Sequence, residues 1–174
     1  MTMHAGVLAF AGYLVWLGAG LGDFLTHRRE DLPHTSGLAE SSLHLLQLAL
    51  IGTGVLLWLW LEPTRAVILL LGALVLGHAV VGYLDTRVAF PRRRIGPIEQ
   101  HLHSVLDMAP WFAWIVIAIM AWHHAPAAQG LHARLAPLPM TVWMAALLPA
   151  ALCCVLPGTL EFLAAWRARD RLAR

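Results

Sequence analysis

Apolar residues along the chain fall into five long stretches that are separated by short polar segments. The stretches cover about residues 3–25, 41–61, 66–89, 98–122 and 140–165. A helix that crosses the hydrocarbon core of a bilayer needs about 20 consecutive, mainly apolar residues. Each stretch is long enough, so the pattern predicts an all-α, polytopic membrane helix bundle with about five transmembrane helices.

The composition agrees with this interpretation and leaves little chain for a soluble region. Hydrophobic residues make up 59% of the 174 residues, and the mean hydropathy is +0.68. We therefore expect one transmembrane helical domain over residues 1–174, with the lipid bilayer as its partner. The first stretch is not typical of a signal peptide, because it lacks a basic start, is too long and ends at Asp23.

The basic residues predict how the bundle crosses the membrane. All twelve are arginine, and with five spans only Arg65 and Arg134 fall on one side, whereas the other ten fall on the opposite side. Because loops rich in Lys and Arg stay cytoplasmic, we expect the N-terminus outside and the C-terminus in the cytoplasm. The arginine run at 92–94 lacks the interleaved aromatic residues of a strand-binding surface, so no nucleic-acid partner is expected.

Acidic and histidine residues recur at helical spacing near the predicted cytoplasmic ends of the first four helices. Residues four or seven apart share one face of a helix. The sets are Asp23 with His27, Glu40 with His44, Glu99 with His103, and His78 with Asp85. The arginines and these sets are separate observations that agree on one membrane layer, so we expect the eight side chains to form one site. The metal-binding part of the bundle would then lie mainly within residues 3–122.

A metal site explains the constellation better than a polar core does. An ionisable side chain at the centre of a membrane helix costs about 2.5–3.5 kcal/mol, so four carboxylates need counter-charge. Arg28, Arg29 and the arginines at 92–94 are expected to extend into water and therefore not to supply this counter-charge. Divalent cations satisfy carboxylates and neutral imidazoles together. The eight residues are therefore predicted to bind two divalent metal ions, with iron favoured and zinc or manganese as alternatives, and His78 would close the site from the membrane side.

Two further residues of the fourth helix are candidates for supporting roles. Asp107 lies one turn beyond His103 and is expected to orient an imidazole or to line a polar pocket. His101 points away from the face of Glu99 and His103, so it is expected behind the ligands or at the membrane interface.

Three segments of the chain resemble those of a family of small, uncharacterised bacterial integral-membrane proteins, over most of the chain from the first helix to the fourth. They read Asp23-Phe-Leu-Thr-His27-Arg-Arg, Ser36-Gly37-x-x-Glu40-Ser41-x-x-His44 and Arg94-Ile-Gly-Pro-Ile-Glu99-Gln-His101-x-His103-Ser104. The resemblance implies a location in the bacterial inner membrane and no assigned activity. In ligand type the site is similar to membrane di-iron enzymes. The usual di-iron motif is Glu-x-x-His, one residue shorter than the spacing here.

These residues leave three functions open. The leading one is a dimetal oxidoreductase that activates dioxygen beside a hydrophobic or lipid-like substrate at the cytoplasmic face and takes electrons from a donor. The second is a zinc-dependent membrane hydrolase with Glu99 or Asp107 as general base. The third is a metal- or haem-binding membrane protein. Glycines on the first and third helices are compatible with an oligomer and equally with packing inside one bundle.

Overall fold

The computed structural model describes residues 3–122 and 130–172. Within these ranges the protein is helical and forms no β-strand. Five helices are long and apolar enough to cross a membrane: Gly6–Arg29, Gly37–Trp60, Arg65–Ala89, Pro97–Ala121 and Met140–Arg169. The predicted all-α membrane bundle is confirmed, while the direction in which it crosses the membrane stays a prediction.

The helices begin and end close to the predicted positions. They are α1 (Met3–Arg29), α2 (Gly37–Trp60), α3 (Arg65–Ala89), α4 (Pro97–Ala121), α5 (Met140–Ala150) and α6 (Leu156–Leu172). A π-helical turn, Ala151–Val155, joins α5 to α6 where the prolines at 149 and 157 predict a distorted helix. Thr64 caps α3 by accepting a hydrogen bond from the Val67 amide, and Pro97 occupies the first turn of α4.

A short connection between α1 and α2 brings their acid and histidine pairs together. It contains one turn of 3-10 helix, Leu32–His34, and reverses the chain through Asp31 at φ 52° and Gly37 at φ 57°. Left-handed backbone of this kind is favourable for glycine, so Gly37 suits the position where α2 begins. The reversal leaves Glu40 Oε1 3.9 Å from His27 Nε2.

The bundle buries a set of polar residues and exposes many of its large apolar side chains, which is the arrangement expected in lipid. α2 packs against α3 and α6, and α4 packs against α1 and α3. A small apolar core of Leu17, Phe24 and Cys154 lies where α1 meets the π-helical turn. Most of the buried acidic and histidine residues lie beyond this core, near the C-terminal ends of α1 and α3 and the first turns of α2 and α4.

Candidate metal centre

The described structure brings together seven of the eight predicted ligands. They are Asp23, His27, Glu40, His44, Asp85, Glu99 and His103, which with Glu161 and Arg93 make up the acid–histidine cluster described below. His27, Glu40 and Glu99 are 0% exposed. Antiparallel helices explain the convergence, because the C-terminal ends of α1 and α3 meet the N-terminal turns of α2 and α4 at the same end of the bundle.

One group of ligand atoms belongs to side chains of α1 and α4. His27 Nε2 lies 3.2 Å from Glu99 Oε1 and 3.5 Å from Asp23 Oδ2, and His103 Nε2 lies 3.2 Å from Asp23 Oδ1. Neighbouring ligands of an ion about 2.1 Å away are separated by about 3.0–3.4 Å in octahedral or tetrahedral geometry. Asp23, His27, Glu99 and His103 each offer one atom, all within 4.8 Å of one another, so the group is compact enough to share one ion.

A second group of ligand atoms lies beside the first, toward α2 and α3. It consists of His27, Glu40 and His44, again with ligand atoms within 4.8 Å of one another. Asp85 Oδ2 lies 3.2 Å from His44 Nε2 and extends this group toward α3. His27 belongs to both groups, which are therefore adjacent.

Several atoms of the cluster are buried without a hydrogen-bond partner among the described residues. They are His27 Nε2, Asp23 Oδ1 and Asp85 Oδ1. A buried polar atom left in this state costs about 1–3 kcal/mol. All three atoms offer lone pairs when the imidazole is protonated on its other nitrogen, so the donor set fits a cation that ligates them.

Glu161 on α6 holds two of the imidazoles in place, a role that the spacing of acids and histidines does not predict. Its carboxylate lies 2.9 Å from His27 Nδ1 and 2.6 Å from His44 Nδ1, and the two rings stack with centroids 4.7 Å apart and an interplanar angle of 4°. An imidazole that donates from Nδ1 to a carboxylate presents Nε2 as a metal ligand. Glu161 is the only acidic residue in the fifth apolar stretch, and that isolation is a signal that could have identified it.

Arg93 contradicts the expectation that the loop arginines reach water. Arg28, Arg29, Arg92 and Arg94 are exposed, but the Arg93 side chain is 2% exposed. Its Nε donates to Glu40 Oε2 at 3.0 Å, its Nη1 donates to Glu99 Oε2 at 2.9 Å, and its Nη2 contacts both carboxylates. The prediction was wrong here because a run of three arginines does not reveal which one turns inward.

The charge of Arg93 is secured by the same contacts. Burial acts to lower the pKa of Arg93, but the hydrogen bonds to Glu40 and Glu99 and the negative charges of both groups outweigh burial and raise this pKa. The guanidinium therefore stays protonated and supplies one fixed positive charge between α2 and α4.

The cluster nevertheless holds more negative than positive charge. Its carboxylates belong to Asp23, Glu40, Asp85, Glu99 and Glu161, all buried. Against these five groups stands one guanidinium, so with neutral imidazoles four negative charges remain uncompensated within the cluster. Two divalent cations would balance this charge.

No protein-family model, curated protein or solved structure matches this chain. The resemblance of its three segments to a bacterial membrane family stays a prediction.

The other predicted site residues lie outside both groups of ligand atoms. His78 is buried on α3, two turns from Asp85, and its Nδ1 has no hydrogen-bond partner in the described structure. Asp107 lies on the wall of a cavity, where its Oδ1 would be 3.0 Å from a Cβ added at Gly82. His101 is exposed on α4.

A cavity of about 350 Å³ adjoins the acid–histidine cluster. Four of the seven ligands line it, namely Asp23, His44, Asp85 and His103. His78 and Asp107 also line it, and most of the remaining wall is apolar and extends toward Tyr13 on α1 and Leu56 on α2. The candidate ligands are thus accessible from a mainly apolar space inside the bundle.

Proposed function

We propose that this protein is a membrane-embedded dimetal oxidoreductase, with iron as its metal, that acts on a hydrophobic or lipid-like substrate at the cytoplasmic face of the bacterial inner membrane. One observation carries the proposal. Three imidazoles and four carboxylates from four helices converge at one buried site, and that site adjoins a mainly apolar cavity.

Two ions fit the arrangement better than one. Asp23, Glu99 and His103 would hold the first ion together with His27, whose Nε2 lies closer to Glu99 and Asp23 than to Glu40. His44, Asp85 and Glu40 would hold the second. The four uncompensated negative charges of the cluster also support two divalent cations.

Iron is proposed because a mixed carboxylate and imidazole set suits it. Bound iron would supply electron transfer and dioxygen activation, for which an external electron donor is required. The residues of the chain have the remaining tasks. Glu161 orients His27 and His44, Arg93 holds Glu40 and Glu99, and the apolar walls of the cavity exclude water from the substrate.

Metal analysis of anaerobically purified protein tests the proposal. We expect about two iron ions per chain, as the charge balance suggests, and an absorption or Mössbauer spectrum that changes on reduction. Tightly bound zinc with no response to reductant would contradict it. Glu40→Ala and His103→Ala should lower the metal content sharply, whereas His101→Ala, an exposed histidine on the same helix as His103, is the matched control and should leave it unchanged.

A zinc-dependent hydrolase is the second candidate, and the position of Asp107 favours it. This carboxyl lines the cavity one helical turn from His103 but belongs to neither group of ligand atoms, so it could serve as a general base. Ester or amide hydrolysis without reductant, lost in Asp107→Asn at unchanged zinc content, would select this function. Haem binding between His27 and His44 is disfavoured because their stacked rings leave no space for a haem.

A further inference from the structure

The cavity beside the cluster extends along more than one helix. Its lining residues run from Tyr13 to Asp23 on α1 and from His44 to Leu56 on α2, which correspond to about 15 and 18 Å at the rise of an α-helix. The volume of the cavity is about 350 Å³. Walls that extend this far along two helices suit an extended chain.

Its volume also sets the size of the occupant. At roughly 30 Å³ for a group the size of water or methylene, the cavity holds about a dozen such groups. Leu17, Leu48, Ile51, Val55 and Leu147 are among its apolar lining residues, and burying methylene groups against such walls is favourable.

His78 is one of several polar residues that line the cavity outside the cluster, together with Gln47, Thr86 and Asp107. The residue is 6% exposed, lines the cavity, and has a buried Nδ1 without a hydrogen-bond partner in the described structure. Seven residues separate it from Asp85, so it lies about 10 Å farther along α3. A neutral imidazole both donates and accepts hydrogen bonds, and its burial beside apolar walls points to a polar group brought by a ligand.

We propose that the cavity binds one unbranched alkyl chain of about a dozen carbon atoms that bears a single oxygen function, and that His78 forms a hydrogen bond with this oxygen. The part of the alkyl chain nearer Asp85 and His103 then faces the candidate metal ligands. As a statement about the substrate, this inference rests on the proposed function. As a statement about binding, it concerns the cavity alone.

Photolabelling tests the binding. The protein is placed in lipid nanodiscs and exposed to a dodecanol that carries a diazirine on its chain, and labelled peptides are identified by mass spectrometry. We expect labels near Ile51 and Val55, and competition by unlabelled dodecanol about threefold to tenfold stronger than by dodecane, the range that one hydrogen bond supplies. His78→Leu should retain labelling and abolish the preference for the alcohol.

A pair of glycine variants shows whether the labelling occurs in the cavity. Gly52 lines it, and a Cβ added there meets no atom within 4 Å, so Gly52→Leu should fill the space without a backbone clash. Gly12→Leu is the matched control, because Gly12 is exposed on α1, also has open space around it, and does not line the cavity. Labelling should be lost in the first variant and kept in the second.

The outcomes separate this inference from the proposed function. Equal labelling in wild type and Gly52→Leu, or equal competition by dodecanol and dodecane in wild type, would overturn the inference. Metal content is measured on the same samples. Normal labelling in protein without redox-active metal would overturn the oxidoreductase and leave the binding site standing.

Discussion

Glu161 Oε2 lies 2.9 Å from His27 Nδ1, although 134 residues separate the two in the chain. The same carboxylate accepts a hydrogen bond from His44 Nδ1 at 2.6 Å. One acidic residue of the fifth span thereby determines how two imidazoles of the first and second spans face the candidate metal centre.

Replacing Glu161 should therefore weaken metal binding without removing a ligand. Glu161→Gln retains the shape of the side chain, but its amide offers one acceptor oxygen to two imidazoles. We expect metal affinity to fall about 10- to 100-fold, measured by competition with a chelator of known affinity. Thr159→Ala, at an exposed position of α6, is the control and should bind metal normally. Unchanged affinity in Glu161→Gln would show that the imidazoles keep their orientation without the carboxylate.

Arg93 should contribute strongly to stability in the absence of metal. Arg93→Ala leaves Glu40 and Glu99 buried without their shared cation, and the loss of one partner from a buried ion pair costs about 3–5 kcal/mol. Equilibrium unfolding in detergent micelles with chelator present measures the effect. Arg92→Ala, an exposed neighbour, should change stability by no more than about 0.5 kcal/mol. If the two variants were equally stable, the buried contacts of Arg93 would not contribute as proposed.

Arg93→Lys distinguishes charge from geometry at the same position. Lysine supplies the positive charge but lacks the planar set of donors with which arginine engages two carboxylates. We expect a stability between those of wild type and Arg93→Ala in the same unfolding measurement. A stability equal to that of wild type would mean that the charge alone is sufficient.

Removing metal should lower the midpoint of thermal unfolding. A ligand that binds only the folded state adds about 4 kcal/mol when its free concentration is a thousandfold above its dissociation constant. Wild-type protein should therefore unfold at a lower temperature after chelation and recover when iron(II) is restored. The double variant Asp23→Asn, Asp85→Asn loses a ligand from each group and should respond little to either treatment. An identical midpoint with and without chelator in wild type would argue against a metal-stabilised bundle.

Gly72 should be intolerant of a methyl group. A Cβ at this position would lie 2.9 Å from ring atoms of Trp114, whose Nε1 donates a hydrogen bond to the Ile68 carbonyl at 2.9 Å. Overpacking of this kind costs about 1–3 kcal/mol, so Gly72→Ala should unfold at lower denaturant concentration than wild type. Gly12→Ala, which meets no atom within 4 Å, is the control. Equal stability of the two variants would show that the indole moves aside at no cost.

The spacing of acids and histidines predicted much of the candidate site, because pairs four residues apart share a helical face whatever the rest of the fold does. Asp23 with His27, and Glu99 with His103, lie together in the structure for this reason. His78 was grouped with Asp85 by the same rule, and the two share a face of α3, but their separation of two turns leaves His78 outside both groups of ligand atoms.

The spacing of acids and histidines could not predict that Arg93 and Glu161 belong to the site. Arg93 lies in a connection without helical periodicity, and the residues on both sides of it are also arginines. Glu161 has no histidine one turn away on its own helix, and its two partners belong to α1 and α2.

The sequence by itself determined that the chain forms apolar helices of membrane-spanning length and which pairs of side chains share a helical face, since both properties depend on residues close together in the chain. Only the tertiary structure decided that Glu161 aligns two imidazoles, that Arg93 turns inward between two carboxylates, and that a mainly apolar cavity adjoins the cluster. Those features arise where separate helices pack, and the packing depends on the shapes of side chains far apart in sequence.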